Sequence, residues 1–221
     1  MPLKIKVCGL TRIDDARACV AAGVDWLGLN FHPGSPRRVN LVAARAIRRA
    51  VDDRAQIVGL FVDRPPSEII EVSRAIGIDL VQLHGDEPVE WLAELAGLRV
   101  VKAFRLEGPD SVGWVQAYIA GAERAGTPLH AILVDAHVPG QFGGTGVAIG
   151  GDLLASLPDH PRLILAGGLT PENVADRLTL ARPRPWMVDV ASGVESSPGR
   201  KCPERVARFV AEARLGSATR R

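Results

Sequence analysis

The sequence predicts a single-domain α/β fold, a closed (β/α)8 TIM barrel, on three observations. Eight short apolar runs rich in Val, Ile and Leu recur at 3–8, 26–31, 56–62, 79–84, 99–104, 130–135, 162–166 and 186–191. They are continuous rather than alternating in polarity, the pattern of strands buried on both faces of a parallel sheet. Amphipathic stretches separate them, and eight strand-helix units in 221 residues leave about 28 residues each, near the lower size of such a barrel. A doubly wound open sheet would instead carry a glycine fingerprint after its first strand, and Cys8-Gly9-Leu10-Thr11 is not G-x-G-x-x-G.

The first run is followed by Thr11-Arg12-Ile13-Asp14, which reads as a capping box ahead of Ile13, Ala16 and Val20 on one helical face. Helices are expected to follow the strands one for one. After the sixth run a loop over 136–146 is longer than a usual βα connection, as loops that cover sites often are. After the seventh, Thr170-Pro171-Glu172 predicts a helix start, with Pro171 at the first helical position and Val174 and Leu178 on one stripe. The domain is expected over 1–215, with 216–221 a frayed, small, polar and basic tail.

Lys plus Arg number 27 against 25 Asp plus Glu, and this +2 balance gives no electrostatic reason to expect nucleic acid or an acidic membrane as partner. A small molecule is the expected ligand. Lys occurs only at 4, 6, 102 and 201, so Schiff-base chemistry has few candidates, while the abundant Arg suits carboxylates and phosphates. Cys8, Cys19 and Cys202 are spaced for neither a disulfide framework nor a zinc site, which points to a reducing compartment. With no apolar leader in residues 1–12 and no run of eighteen apolar residues, a cytoplasmic location is expected.

In a parallel barrel the site lies at the C-terminal strand ends, here Cys8, Asn30, Asp63, His84, Arg105, Asp135, Gly167 and Ser192. Ten of the 23 glycines fall within 140–199. Gly143, Gly144 and Gly146, then Gly167-Gly168, then Ser192-Gly193 would offer backbone N–H groups to a phosphate after strands six, seven and eight. Cys8 ends the first strand and on its own reads as a small buried hydrophobe, while Asp135 is either a strand cap or an acid in the mouth. Lys6, His84 and Asp189 are the next candidates, supporting the site from behind.

Lys6-Val7-Cys8-Gly9-Leu10-Thr11, Gly59-Leu60-Phe61-Val62, Val81-Gln82-Leu83-His84-Gly85-Asp86-Glu87, Phe142-Gly143-Gly144-Thr145-Gly146, Ala166-Gly167-Gly168-Leu169-Thr170-Pro171-Glu172-Asn173 and Val188-Asp189-Val190-Ala191-Ser192-Gly193-Val194-Glu195 stand in order along the chain. As a set they resemble the phosphoribosylanthranilate isomerases of tryptophan biosynthesis. The resemblance implies an aldose-to-ketose Amadori rearrangement by general acid-base catalysis, with no cofactor and no metal. It places the base at Cys8, the acid at Asp135 and the anthranilate carboxylate at Arg37, with phosphate on the three glycine loops. It also implies a phosphorylated small-molecule substrate and a monomer or homodimer. After Gly146 the chain reads Val147-Ala148-Ile149-Gly150-Gly151-Asp152-Leu153 where many members have Phe-Asp-Trp.

Three rival readings are weaker on the residues. A dual-substrate isomerase of histidine and tryptophan biosynthesis would be expected to carry Asp at position 8. A metal-dependent pentose-phosphate epimerase needs several converging His and Asp ligands, and of the five His only His84 stands clearly at a strand end. The third rival is a silent phosphate-binding protein, which would leave Cys8 and Asp135 without chemistry.

Overall fold

The computed structural model describes residues 2–106, 108, 110–135, 155–157 and 160–218. Eight parallel strands, β1 (Lys4–Cys8), β2 (Trp26–Asn30), β3 (Gln56–Phe61), β4 (Leu80–Leu83), β5 (Val100–Arg105), β6 (Ala131–Asp135), β7 (Leu163–Ala166) and β8 (Met187–Val190), close into a barrel in chain order. Every apolar run therefore marks a strand, β5 continuing one residue beyond its run to Arg105. β8 returns to pair with β1, setting Lys6 opposite Asp189 and Val7 opposite Val190.

Alternation along each strand sorts the side chains into two cores. Trp26, Val58, Leu80, Val101, Ala131, Ile164 and Met187 fill the lower interior of the barrel. Ile5, Val7, Leu27, Leu29, Phe61, Val81, Leu83 and their neighbours pack outward against the helices. Two residues further along the inward-facing positions, Lys6, Gln82 and Asp189 put polar groups in the heart of the barrel, all buried. One layer higher, at the mouth, stand Cys8, His84, Arg105 and Asp135.

The helices follow local signals where these go uncontested. α1 spans Ile13–Ala21 and α2 Leu41–Val51, the latter capped by Asn40, whose side chain accepts from the Ala43 N–H at 2.8 Å. Ala44, Ile47 and Val51 form the buried stripe of α2. α3 (Pro66–Ile76) starts with proline and stops at the left-handed Gly77, whose N–H donates to the Ser73 carbonyl at 2.9 Å. α4 (Trp91–Glu94) is a single turn and α5 spans Asp110–Arg124.

Several expectations need correction. Thr11 does not cap α1, because its hydroxyl donates to the Gly199 carbonyl, and Arg12 stands at the cap position with no side-chain bond. Pro171 lies in a turn rather than a helix. The helix starts at Val174 and runs to Leu180, since Asn173 Oδ1 takes the Thr170 N–H and its Nδ2 the Gly168 carbonyl, which closes the turn first. The one-for-one alternation of helix and strand does hold among the described residues, with α4 reduced to a lone turn and the segment after β6 outside them. The C-terminal helix, Pro203–Ala218, runs three residues past Leu215, with Gly216 buried and the Ser217 carbonyl held by Arg184 at 2.8 Å. A short hairpin of Glu195–Ser197 and Arg200–Lys201, absent from the sequence reading, follows β8. Residues 136–154, with the loop and the Val147 to Leu153 segment, lie outside the described residues, as do 219–221.

Three of the four lysines are buried, each against a carboxylate: Lys6 with Asp189 at 3.0 Å, Lys102 with Glu87 at 2.8 Å and Lys201 with Glu195 at 2.7 Å. Lys102 points outward from β5 into a cage of Phe104, Trp114 and Tyr118, its ammonium 5.7 to 5.9 Å from their ring centres. Its Nζ also donates to the Gly85 carbonyl at 2.6 Å, while Glu87 accepts from the N–H groups of Asp63 and Gly85. The pair thus fastens the ends of β3 and β4 together. Replacing Lys102 by Met strands a buried carboxylate and should lower the unfolding free energy by about 3–5 kcal/mol. Replacing the pair together, Lys102→Met with Glu87→Gln, should recover part of that loss in urea unfolding.

Candidate active site

The mouth is built from strand-end side chains. Cys8 closes β1 and is 7% exposed. Below it the Lys6 ammonium donates to Asp189 Oδ2. Burial alone would lower the Lys6 pKa, but the charge of Asp189 and then the charge and hydrogen bonding of Cys8 outweigh it and hold it raised. Asp189 is raised by burial, against the opposing charge of Lys6, and Asp135 adds to the rise. Its Oδ1 is buried without a partner among the described residues.

Asp135 ends β6 in register with Arg105 on β5, so both side chains enter the mouth side by side. His84 follows β4, and the Gln82 side-chain amide donates to its Nδ1 at 2.8 Å, leaving Nε2 as the protonated nitrogen. Burial first, then the charges of Lys6, Arg105 and Lys102, push the His84 pKa down to about 4 against the opposing pull of Asp135. The ring is a neutral donor. A cavity of about 480 Å³ opens over this half of the mouth, lined by Asp63, His84, Asp86, Arg105, Ser111 and Trp114 among others. Sequence reasoning had placed Asp63, His84 and Arg105 there; Ser111 and Trp114 it had not, because they arrive on α5 from outside the strand ends.

On the opposite side, Asn30 at the end of β2 shapes the following loop. Its Oδ1 accepts from the His32 N–H at 2.8 Å and its Nδ2 donates to Ser35 Oγ at 3.1 Å, which also accepts from the Arg37 N–H. Arg37 is thereby turned back over the first strand end, its stem lying across Gly9. A Cβ there would sit 2.5 Å from Arg37 Cδ, and the φ of +79° is one that side chains rarely adopt. The guanidinium meets Glu195, with Nε 2.8 Å from Oε1 and Nη2 2.6 Å from Oε2. Hydrogen bonding to Glu195 raises the Arg37 pKa, and Cys8 adds to it through its charge, so Arg37 lies within electrostatic reach of that sulfur. Burial works to raise Glu195, but its bonds to Arg37 and Lys201 prevail and lower it.

The loops after β7 and β8 touch each other. Gly193, in the 3-10 turn Ser192–Val194, packs so closely that a Cβ would strike the Leu169 carbonyl oxygen. Gly167 and Gly168 have φ of +94° and +61°. Gly143, Gly144 and Gly146 lie outside the described residues. Glu195 and Lys201 were missed as members of the site; the closing Val194-Glu195 of the last motif was a signal for the first, and the scarcity of lysine a signal for the second. Among the described residues no cluster of three or more His, Cys, Asp or Glu could hold a metal ion, and no helix is long and apolar enough to cross a membrane.

Residues 5–212 match the family described as N-(5'phosphoribosyl)anthranilate (PRA) isomerase. The chain belongs to the N-(5'-phosphoribosyl)anthranilate isomerase family. It is 44% identical over 215 residues to the isomerase of Myxococcus xanthus, covering 97% of each chain. The solved isomerase of Thermotoga maritima superposes with a TM-score of 0.83 at 31% identity, over 96% of this chain and 99% of that one. A further isomerase structure, holding reduced 1-(o-carboxyphenylamino)-1-deoxyribulose 5-phosphate, superposes with a TM-score of 0.78 at 30% identity, over 96% and 99%. The chain is accordingly an isomerase of N-(5'-phosphoribosyl)anthranilate in tryptophan biosynthesis.

The neutral state of His84 has a consequence for stability. An unfolded chain takes up this proton near the ordinary value of 6.5, the folded one only near 4, so the unfolded state binds more protons between them. Stability should therefore fall as pH drops from about 6.5 toward 4. Heteronuclear NMR of the His84 ring should show the Nε2–H tautomer throughout pH 5–8, with no titration there.

Proposed function

We propose that Cys8 and Asp135 carry the two proton transfers of this isomerase, that Arg37 anchors the anthranilate carboxylate and that the glycine loops hold the phosphate. The supporting observation is the placement of Cys8 at the end of β1, two residues beyond Lys6 on the same inward face and next to Gly9, across which Arg37 lies, while Asp135 enters the same mouth from β6. Asp135 gives a proton to the ribose ring oxygen as the C1–O bond breaks and the anilino nitrogen supplies its lone pair to C1. The resulting iminium acidifies the C2 hydrogen, which the Cys8 sulfur removes, leaving an enolamine. Proton return to C1, with loss of the C2 hydroxyl proton, then gives the ketone at C2. Lys6 keeps positive charge under the sulfur while it works, and neutral His84 offers an N–H rather than a competing base.

Because the rearrangement is internal, the remaining task is to hold both ends of the substrate. Arg37 on one side, and Gly167, Gly168, Ser192 and Gly193 with Gly143, Gly144 and Gly146 on the other, are suited to a carboxylate and a phosphate respectively. No nucleic acid or membrane partner enters this reading, and it places the enzyme in the cytoplasm.

Removal of either proton carrier should cost about a hundredfold to ten-thousandfold in kcat with a far smaller change in KM, in Cys8→Ala and in Asp135→Asn alike. The loss of anthranilate fluorescence from the substrate measures both constants. A Cys8→Ala enzyme that keeps most of its kcat would remove Cys8 as the base.

Inorganic phosphate should inhibit competitively by occupying the loops without the rest of the substrate. Gly168→Val, which forces a branched side chain onto a φ of +61°, should weaken both that inhibition and substrate binding. Unaltered phosphate inhibition in this variant would place the cradle elsewhere.

A further inference from the structure

Glu195 takes no part in the proton transfers, yet it organises the Arg37 side of the mouth. Its side chain is 4% exposed. One edge of the Arg37 guanidinium, Nε and Nη2, is bound to its two oxygens at 2.8 and 2.6 Å. Oε1 accepts further from Lys201 Nζ at 2.7 Å and from the Gly199 N–H at 3.2 Å. Lys201 Nζ then donates to the carbonyls of Cys8 at 2.6 Å and Ala191 at 3.1 Å, the ends of β1 and β8. The hairpin that bears this lysine is fixed in turn, its backbone N–H on Asp15 Oδ2 at 2.9 Å.

A guanidinium is planar, with five N–H donors in a rigid fork, so fixing one edge fixes the plane and the aim of the other. Nη1 has no partner among the described residues. The side chain is held short of free solution, at 24% exposed, and its stem is trapped across Gly9. A carboxylate arriving in the mouth would thus find the second edge already oriented, with no rotamer freedom of Arg37 left to freeze. That is what distinguishes a preorganised recognition group from a surface arginine.

We propose that Glu195 is a positioning residue for substrate recognition: it aims the open edge of Arg37 at the anthranilate carboxylate and, through Lys201, ties that edge to the backbone of Cys8. The proposal rests on the assignment of Arg37 as carboxylate anchor. It makes Glu195 and Lys201 determinants of how the carboxylate end of the substrate is registered against the base, although neither touches the reacting carbons.

The test compares the natural substrate with N-(5-phosphoribosyl)aniline, which lacks the carboxylate, in wild type, Glu195→Gln, Arg37→Ala and the two combined. Glu195→Gln should lower kcat/KM for the natural substrate about tenfold or more, and for the aniline compound about threefold or less. In the Arg37→Ala background the same change should cost the natural reaction little more, since the two residues act through one edge. Should Glu195→Gln fail to fold because Lys201 is left unpaired, Glu195→Gln with Lys201→Met removes both buried charges and must show the same discrimination between substrates. Equal losses on the two substrates, or a full additional loss in the Arg37→Ala background, would overturn the proposal. If Arg37→Ala itself does not discriminate between them, the anchor assignment falls, and the role of Glu195 falls with it.

Discussion

Closure of the barrel puts a charge where a barrel interior would otherwise be hydrocarbon. β1 and β8 pair in the register that sets Lys6 beside Asp189, and both side chains are all but sealed from water. Removing two ions from water costs several kcal/mol each, which their mutual attraction offsets only in close contact. The seam between the first and last strands must therefore form correctly for the pair to be tolerable at all. The same pair lies directly under Cys8, so the contact that checks closure of the barrel also sets the electrostatics of the residue at its mouth.

The loops above this layer are held by the same device of a buried lysine on a carboxylate. Lys102 and Glu87 gather the ends of β3 and β4, and Lys201 and Glu195 gather β1, β8 and the loop that bears Arg37. Between them they fix two arcs of the described part of the rim. One carries His84, Arg105 and the cavity; the other carries Cys8 and Arg37. Ordinary βα loops are the mobile part of a barrel, and a reaction that must grip a substrate at both ends gains from having these segments settled before binding.

The strands were legible because burial on both faces leaves an unbroken apolar signature, and the residues that end them were legible because a parallel barrel collects its chemistry there. Cys8, His84 and Asp135 could be located in this way from spacing alone. Local helix signals were less dependable. Thr11 has the chemistry of a cap, but a carbonyl 188 positions away takes its hydroxyl. Pro171 belongs to a turn that Asn173 closes from both sides. Arg37 was visible in the resemblance, whereas its partner Glu195 stands 158 positions away, a pairing that no local pattern encodes. Lys6 illustrates the same limit, for a strand position tells that a side chain faces inward without telling which charge waits there.

The distribution of amines has a practical side. Of the four lysines, Lys6, Lys102 and Lys201 have side chains at most 1% exposed, and Lys4 alone is accessible, at 41%. Lys4 opens β1 and so lies at the floor of the barrel, the end opposite the catalytic mouth. Among the lysines, acylating reagents will consequently modify Lys4 in the folded protein and leave the other three untouched until it unfolds. A bead, dye or surface attached through that side chain would leave the mouth facing outward, with no engineering of the sequence.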